Sequence, residues 1–375
     1  MSDAGEGRPG SGEGPLVAVV GHGPPATGGI PTFVSTLLAS TALNRRARLT
    51  FVNTTPSGER RPGSFTAANL RRAVRDAARV FGAGRAADVV HLNVSAAPTA
   101  PLARALVLCA AARAGGARTI LHAHTGRLHL AVRSRVYRWL LRRSRLVVDA
   151  FVVVSRIEAD AARRVGLDAI VLPNGIDASR FRTGPKDEPP LIAFVGTVCE
   201  RKGLIDLLGA LSLLRRDSPP FRVEIVGDAS QEGPGVFDRI RSAYARAGLD
   251  DVTFRGALDR GGVDDVLSRA AIFCLPSHWE GLPLSLLEAM ASGTAPVATS
   301  VGEIPRMLDD GRAGILVPPH DPSGLGAALG GLIADGVERA ELGAHARHRV
   351  EAEYPEEAMF VSLDETYRRV SGYSM

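Results

Sequence analysis

The segment 277–293 carries two carboxylates, eight positions apart, around a turn and the start of a helix. Glu280 lies in a predicted loop. Glu288 lies more than one turn inside a helix predicted to begin near Pro283, an early helix position that proline favours. A carboxylate among apolar residues is costly to bury unless it accepts hydrogen bonds, and sugar or ribose hydroxyls are suitable donors. The segment therefore predicts a site for a polyhydroxylated ligand; the alternative is a helix-capping Glu280 and an exposed Glu288.

A second segment, 196–203, places cations where an anion would stabilise them. Arg201 and Lys202 precede a predicted helix N-terminus, where a positive charge opposes the helix dipole. Thr197 lies in the same loop, directly after the strand-ending Gly196. A diphosphate bound between the two cations would offset the unfavourable dipole interaction. The alternative is a pair of solvated surface charges.

The loop 21–30 joins the first predicted strand to the first predicted helix and is rich in glycine. Gly28 and Gly29 allow backbone N–H groups to approach a phosphate or a sugar at the helix N-terminus. The loop does not match the GxGxxG fingerprint, and no acidic residue closes the second strand, which ends at Asn53 and Thr54. These two departures argue against a nicotinamide cofactor. An ordinary strand–helix loop is the alternative.

Two histidines, His122 and His124, lie at the end of another predicted strand. Residues at i and i+2 point to the same side of a strand, so the two imidazoles are candidates for a metal or for a polar contact with a sugar. No neighbouring Cys, Asp or Glu completes a set of metal ligands. The alternative is one buried, hydrogen-bonded histidine and one exposed histidine.

Seven arginines alternate with apolar residues between Arg127 and Arg145. This pattern predicts one basic amphipathic helix, an element of the kind that lies on anionic membrane surfaces. A helix with one solvated face is the alternative.

The elements that would position these residues are short apolar runs alternating with helical stretches, a pattern typical of parallel α/β layers. The Pro- and Gly-rich stretch 173–190 is the best linker candidate. We therefore expect a disordered tail over 1–14 and two Rossmann-like units that meet near residue 184. Ligands of such sheets bind at the carboxyl ends of the strands, so the cleft between the units is the expected site. The predicted strands are 16–20, 49–53, 89–92, 119–122, 150–154, 170–172, 191–195, 223–226, 252–254, 272–275, 296–298 and 315–317.

The distribution of charge and the low aromatic content bear on which ligands the protein binds. Residues 1–184 hold 26 Lys and Arg against 11 Asp and Glu, a net charge of +15, whereas residues 185–375 hold 19 against 29, a net of −10. The basic half suggests phosphate, nucleic-acid or membrane contacts. Aromatic residues make up only 5% of the chain and no nucleic-acid motif occurs, so nucleic-acid binding is not expected.

Several motifs and segments are missing from the sequence. No Asp-x-Asp occurs, so the familiar metal–diphosphate clamp is absent, and there is no P-loop. No apolar run reaches the ~18 residues of a membrane span, and the N-terminal stretch lacks the apolar core of a signal peptide. Three cysteines without a CxxC fit a reducing cytoplasm.

Taken together, these segments resemble the retaining glycosyltransferases of family 4, which have the GT-B fold, an α/β architecture of two Rossmann-like domains facing across a cleft. The most specific part is 280–291, which resembles that family's E-x7-E signature. The ordered series Gly28-Gly29-Ile30, His124-Thr125 and Lys202-Gly203 supports it. The resemblance implies an acceptor domain over 15–184, a donor domain over 185–354, and a C-terminal helix over 355–375 that crosses back to the first domain.

The resemblance also implies an activity. A hexose would pass from a UDP- or GDP-linked sugar, with retention and without metal or cofactor, to a small-molecule or lipid-linked acceptor in bacterial polysaccharide or glycoconjugate synthesis. The implied location is cytoplasmic, with peripheral contact to the inner face of the membrane through the basic segment. The catalytic residues would be His124, Lys202 and Glu280. The implied donor-binding residues are Gly28, Gly29, Thr197, Arg201, Lys202, Gly281, Leu282, Pro283, Leu284 and Glu288.

One position departs from the family pattern. Members usually carry an arginine directly after the glycine numbered 196 here, and this chain has Thr197. Arg201 is the candidate substitute for that arginine. Two other activities fit the same pattern: a nucleotide-sugar epimerase of the same fold, and a nucleotide-sugar-binding partner without turnover.

Overall fold

The computed structural model describes residues 14–24, 26, 28–55, 67–215, 218–229, 235–249 and 252–374. The tail expected over 1–14 lies outside the described residues except for Gly14. Within the described residues the chain forms two parallel six-stranded sheets with helices packed on their faces. The α/β fold class predicted from the alternating pattern is confirmed.

All twelve predicted strands are present, with ends within two residues of the predicted ones. Most are buried along nearly their whole length, as parallel strands covered on both faces must be, which is why they occur as continuous apolar runs. The strands are β1 (Leu16–Gly21), β2 (Arg48–Asn53), β3 (Val89–Val94), β4 (Arg118–Ala123), β5 (Ala150–Val153), β6 (Ile170–Val171), β7 (Leu191–Val195), β8 (Arg222–Val226), β9 (Val252–Gly256), β10 (Ile272–Leu275), β11 (Ala295–Thr299) and β12 (Ile315–Val317).

The strand order creates one switch point in each sheet. The first sheet has the order β2-β1-β3-β4-β5-β6, and the second has the order β12-β11-β10-β7-β8-β9. Connections therefore leave in opposite directions from β1 and β3, and again from β7 and β10. Crevices at the carboxyl ends of such strand pairs are where open α/β sheets bind ligands.

Helices connect the strands. In the part of the chain that the structure describes, four short 3₁₀ turns lie at Ser144–Leu146, Ala178–Arg180, Glu200–Lys202 and Asp309–Gly311. The helices are α1 (Gly29–Ala39), α2 (Thr41–Arg46), α3 (Ala67–Ala86), α4 (Thr99–Ala114), α5 (Leu128–Ala131), α6 (Arg135–Arg143), α7 (Arg156–Arg164), α8 (Leu204–Leu214), α9 (Val236–Arg246), α10 (Arg260–Arg269), α11 (Leu284–Ala291), α12 (Ile304–Met307), α13 (Pro322–Ala334), α14 (Gly336–Glu353) and α15 (Glu356–Ser371).

The prediction of one basic helix between Arg127 and Arg145 is wrong. The segment forms α5 and α6, which are separated by residues 132–134. The hydroxyl of Ser134 accepts a hydrogen bond from the N–H of Tyr137 at 3.4 Å and so starts a new helix. Serine is favoured at this capping position because its side-chain oxygen accepts from a first-turn N–H that has no acceptor within the helix.

The last helix packs on the first sheet although it follows the second one in the chain. Met359, Phe360, Leu363 and Tyr367 of α15 lie in the apolar core beneath β1, β3 and β4. At the crossing point, the N–H of Ile176 donates to the carbonyl of Tyr354 at 2.8 Å. The linker and the returning chain are thus hydrogen-bonded to each other.

Candidate functional site

A buried ion pair lies at the switch point of the second sheet. The ammonium of Lys202 donates to Oε1 of Glu280 at 2.6 Å, and the two residues are only 6% and 8% exposed. They are 78 residues apart in the sequence. They meet because Lys202 follows β7, Glu280 follows β10, and these two strands are neighbours.

The loop after β7 is pressed against the loop after β10. Gly203 has φ +68°, and a Cβ at this position would collide with the carbonyl oxygen of Pro276, so the approach requires glycine. The N–H of His278 donates to the carbonyl of Arg201 at 2.8 Å. These contacts fix the two loops that carry Lys202 and Glu280.

The Glu280 carboxylate uses one oxygen to hold this arrangement. Oε1 accepts from the Ser277 hydroxyl at 2.7 Å and lies 3.7 Å from Nη1 of Arg201. Burial raises the pKa of Glu280, but Lys202, Arg201 and the hydrogen bonds outweigh it, and the net pKa lies below its ordinary value. Oε2 accepts no hydrogen bond from a described residue. Glu280 makes no cap to α11, so the capping alternative does not hold.

The second carboxylate of the segment, Glu288, is half-buried on α11. It makes no hydrogen bond or ion pair with any described residue. Burial raises its pKa to about 7, with a smaller opposing effect of Arg260 and a smaller raising effect of Asp264. Glu288 is thus a desolvated acceptor rather than the exposed residue of the alternative interpretation.

Two arginines contact the ring of Trp279, the residue directly before Glu280. The guanidinium of Arg127, from the first sheet's unit, lies 4.3 Å from the ring centroid of Trp279, and that of Arg201 lies 5.9 Å from it. Thr197, where the resemblance leads us to expect an arginine, is half-buried. Arg201 lies on the same loop as Thr197 and Lys202. Its guanidinium also lies near Glu280, which belongs to the loop after β10.

In the first unit, β3, the carboxyl end of β4 and α15 bring three imidazoles and one tyrosine into a single chain of contacts. Nδ1 of His91 lies 2.9 Å from the Tyr367 hydroxyl, and Nε2 of His91 lies 3.3 Å from Nδ1 of His122. His122 and His124 have ring centroids 4.0 Å apart, as expected for residues on one side of a strand. They form no group of three metal ligands with described residues.

His124 is the half-buried member of this chain. Its Nε2 lies 3.0 Å from Oδ1 of Asn93; since that oxygen only accepts, Nε2 carries the hydrogen and Nδ1 remains an acceptor. Burial lowers the pKa of His124 to about 3, with an added effect of His91. His124 is therefore neutral near pH 7 and suited to hydrogen bonding with an uncharged hydroxyl.

The N-terminus of α1 lies above this histidine pair. Gly28 is the N-cap residue and Gly29 is the first helical residue. No atom lies within 4 Å of the place where a Cβ on Gly29 would be. One turn later, Phe33 packs against His122 and His124, with ring centroids 5.1 and 4.7 Å away. The backbone N–H groups predicted to approach a phosphate therefore belong to the helix that packs on His124.

The two units touch each other directly at the site. A Cβ on Gly126, which has φ +46°, would collide with the backbone of Glu280 and Gly281. Asn174 of the linker donates to the carbonyl of Leu282 at 2.9 Å. The cleft is thus lined from both sides at the 280–284 turn, where Leu282 and Pro283 are buried and Gly281 and Leu284 are half-buried.

A further contact between the units involves a helix N-terminus. Oε1 of the buried Glu303 accepts from the N–H of Arg156 at 2.6 Å and lies 3.4 Å from the N–H of Ile157. These are the first residues of α7, and a carboxylate at that position is stabilised by both the hydrogen bonds and the helix dipole. A side chain of the second unit therefore completes a helix of the first.

Sequence reasoning missed several of these residues. Ser277 and Trp279 lie inside the 277–293 segment, so their position next to Glu280 in the sequence could have marked them as site residues. The contacts of Asn93, Glu303 and Tyr367 join residues far apart in the sequence, and no local pattern marks them.

Comparisons with known proteins agree with this architecture. The family profile described as Glycosyl transferases group 1 matches residues 175–349, and Glycosyltransferase Family 4 matches residues 28–180. The chain is 32% identical over 298 residues to a phosphatidyl-myo-inositol mannosyltransferase of Mycolicibacterium smegmatis, covering 76% of this chain and 72% of that protein. It is 30% identical over 240 residues to a glycogen synthase of Mycobacterium tuberculosis, covering 61% and 55%.

Solved structures share the whole fold. A sucrose-phosphate synthase from Thermosynechococcus elongatus superposes with a TM-score of 0.75 at 22% identity, over 96% of this chain and 100% of that one. Anabaena Alr3699/HepE in complex with UDP-glucose also gives 0.75, at 16% identity, over 95% and 100%. Among the described residues, no helix combines the length and apolar character needed to traverse a bilayer. The two facing sheets, the matched profiles and the mannosyltransferase relative together show that this chain is a GT-B protein belonging to the group 1, family 4 glycosyltransferases.

Proposed function

We propose that this protein transfers a hexose from a UDP- or GDP-linked sugar to an acceptor hydroxyl, with retention of anomeric configuration and without a metal at the diphosphate. The observation that carries the proposal is the Lys202–Glu280 pair at the β7/β10 switch point, where Oε1 of Glu280 is fixed and Oε2 is available to a ligand. The presence of UDP-glucose in the Anabaena neighbour and the mannosyltransferase activity named for the mycobacterial relative support it.

Each residue has a role in the proposed reaction. Lys202 and Arg201 neutralise the diphosphate, with Arg201 replacing the arginine that Thr197 lacks, and the glycines at the start of α1 approach it from the other unit. Oε2 of Glu280 and the backbone of 281–284 accept and donate hydrogen bonds to the sugar hydroxyls. Glu288 accepts from the ribose hydroxyls. These donors and acceptors are held before substrate arrives, which is the arrangement that favours electrostatic catalysis.

One bond breaks and one bond forms on the same face of the sugar. The bond between the anomeric carbon and the diphosphate oxygen breaks, and the acceptor oxygen forms its bond on the same face. The acceptor proton passes to the departing diphosphate oxygen, whose negative charge Lys202 stabilises. Neutral His124 contacts the transferred sugar or the acceptor.

Replacing Lys202 tests the proposal. Lys202→Met removes the charge at similar volume and should lower kcat by roughly 10²–10³-fold, the usual cost of losing one preorganised charge-stabilising group. Lys202→Arg keeps the charge and should lower kcat less than Lys202→Met does. Steady-state transfer assays with UDP- and GDP-hexoses give the measurement, and circular dichroism checks that each variant folds, because an unpaired Glu280 is itself destabilising. Wild-type kcat in Lys202→Met would refute the role of this residue.

The location and acceptor are also part of the proposal. We place the protein in the cytoplasm, in agreement with three buried free cysteines, Cys109, Cys199 and Cys274. We place it peripherally on an anionic membrane surface, through α6 and the turn after it, with a lipid-linked acceptor. Val136, Trp139 and Leu146 are 61%, 57% and 65% exposed there, among exposed arginines.

A further inference from the structure

Three metal-ligating side chains come together beside the donor loops, and the proposed transfer reaction uses none of them. Asp206 lies in the first turn of α8, His278 in the loop after β10, and His320 in the loop between β12 and α13. Nε2 of His278 lies 2.9 Å from Oδ2 of Asp206, and Nδ1 of His320 lies 3.9 Å from the same oxygen. One ligand atom from each residue lies within 4.8 Å of the other two.

The hydrogen bond between Asp206 and His278 does not account for His320. The two imidazoles have ring centroids only 3.8 Å apart. His320 also has φ +62°, a left-handed conformation that a non-glycine residue adopts at a cost, and such costs concentrate at functional positions. The backbone thus holds a second imidazole against a carboxylate that already has a partner.

We propose that Asp206, His278 and His320 bind a divalent transition metal, with Zn²⁺ as the best match. Imidazole and carboxylate ligands suit Zn²⁺, and three protein ligands with solvent in the fourth position are a common arrangement. Zinc–ligand bonds near 2.0–2.1 Å place tetrahedral ligands about 3.3 Å apart. The 65% exposed side chain of His320 is able to rotate into that geometry.

A metal at this position would connect three loops at the carboxyl edge of the second sheet. His278 is two residues before Glu280 and its N–H is bonded to the carbonyl of Arg201. Asp206 lies in the first turn of α8, four residues after Lys202. The bound ion therefore stiffens the loops that hold the Lys202–Glu280 pair, and takes no part in binding the diphosphate.

Zinc titration of the tag-free 375-residue chain tests the site. After chelator treatment and dialysis, calorimetry should show one Zn²⁺ per chain, and Zn²⁺ should raise the Tm. His278→Ala and His320→Gly should bind at least about tenfold more weakly, since losing even an outer-shell partner of a metal ligand costs that much. His320→Gly is the sharper variant, because glycine suits the backbone at this position and the apoprotein should keep its Tm.

A matched control removes two exposed histidines elsewhere. His345→Ala/His348→Ala on α14 should bind Zn²⁺ as the wild type does. The proposal is overturned if the wild type binds no Zn²⁺, if both His278→Ala and His320→Gly bind like the wild type, or if only the α14 variant loses binding. Because binding is read without a sugar nucleotide, failure here leaves the proposed transfer activity untouched.

Discussion

At the residue scale, the two carboxylates of the E-x7-E segment have opposite electrostatic environments. Glu280 is held by Lys202, Arg201 and Ser277, and its pKa lies below the ordinary value. Glu288 lacks such partners, and burial raises its pKa to about 7. The first carboxylate is therefore ionised across the physiological range, whereas the second titrates within it.

This difference predicts a pH-dependent donor affinity. A nucleotide sugar whose ribose hydroxyls donate to Glu288 should bind more tightly as the pH rises through about 7, because the carboxylate is the better acceptor. From about pH 6 to pH 8 we expect up to about tenfold tighter Kd, the gain from hydrogen bonding to a charged group. Calorimetric titration of UDP- or GDP-hexoses measures it, and the trend should be absent in Glu288→Gln.

The pH dependence of folding stability is an independent control: stability should fall as the pH rises, whereas donor affinity should increase. The folded-state pKa of Glu288 is raised above its ordinary 4.5, so the folded protein retains a proton that the unfolded chain loses between 4.5 and about 7. Its contribution to stability therefore falls as the pH rises through this window. Glu288→Gln should be stabilised relative to the wild type at pH 8 but not at pH 4; an identical pH profile of the two proteins would contradict the raised pKa.

At the element scale, helix breaks decide which surfaces are presented. Ser134 separates α5 from α6, so the arginines and apolar residues of 127–145 do not share one continuous face. Arg127 instead contacts Trp279 at the cleft. Val136 and Trp139 on α6 remain exposed beside exposed arginines, one of which, Arg143, has its guanidinium 5.7 Å from the Trp139 ring centroid.

The proposed membrane contact is therefore confined to α6 and the turn that follows. The wild type should sediment with phosphatidylglycerol-containing vesicles but not with purely phosphatidylcholine vesicles. Val136→Ser/Trp139→Ser should weaken this binding by roughly tenfold or more, because a buried large apolar side chain is worth about 1.5–3 kcal/mol. Val337→Ser, 70% exposed on α14 of the acidic half, is the matched control and should bind as the wild type. Equal binding of both variants would rule out α6.

At the scale of the whole molecule, the relative position of the two units depends on a few direct contacts. Glu303 of the second unit accepts hydrogen bonds from the N-terminus of α7 in the first. Gly126 packs on the 280–281 backbone, and Asn174 and α15 connect the units at the crossing point. These contacts hold groups of both units beside one cleft, and closure of two units around a substrate is a general way to exclude water from a reaction.

Removing Glu303 should loosen the contact between the two units. Glu303→Ala leaves two N–H groups of α7 without their acceptor, a loss comparable to that of an N-cap, which is about 1 kcal/mol. Because this free energy favours the arrangement in which both units meet at the site, kcat/KM should fall about fivefold. Small-angle X-ray scattering should show a larger radius of gyration. Glu303→Gln keeps an acceptor oxygen and should show a smaller effect on both measurements. An unchanged radius of gyration and kcat/KM in Glu303→Ala would show that this contact does not hold the units together.

The sequence alone determined the elements and the family. Continuous apolar runs identify most of the strands, because burial on both faces is a local requirement, and all twelve strands form within two residues of their predicted ends. The residue types of 280–291, with Lys202 and the glycines before α1, were sufficient to indicate the family. Their proposed roles at the donor stay predictions.

Only the tertiary structure decided which loops meet. Lys202 contacts Glu280 because β7 and β10 are neighbours in the strand order, and strand order depends on long-range packing that no local pattern specifies. The same holds for Tyr367 on His91, Glu303 on α7, and the cluster of Asp206, His278 and His320. The break at Ser134 depended on one side-chain hydrogen bond, which competed successfully with the helical periodicity of its neighbours.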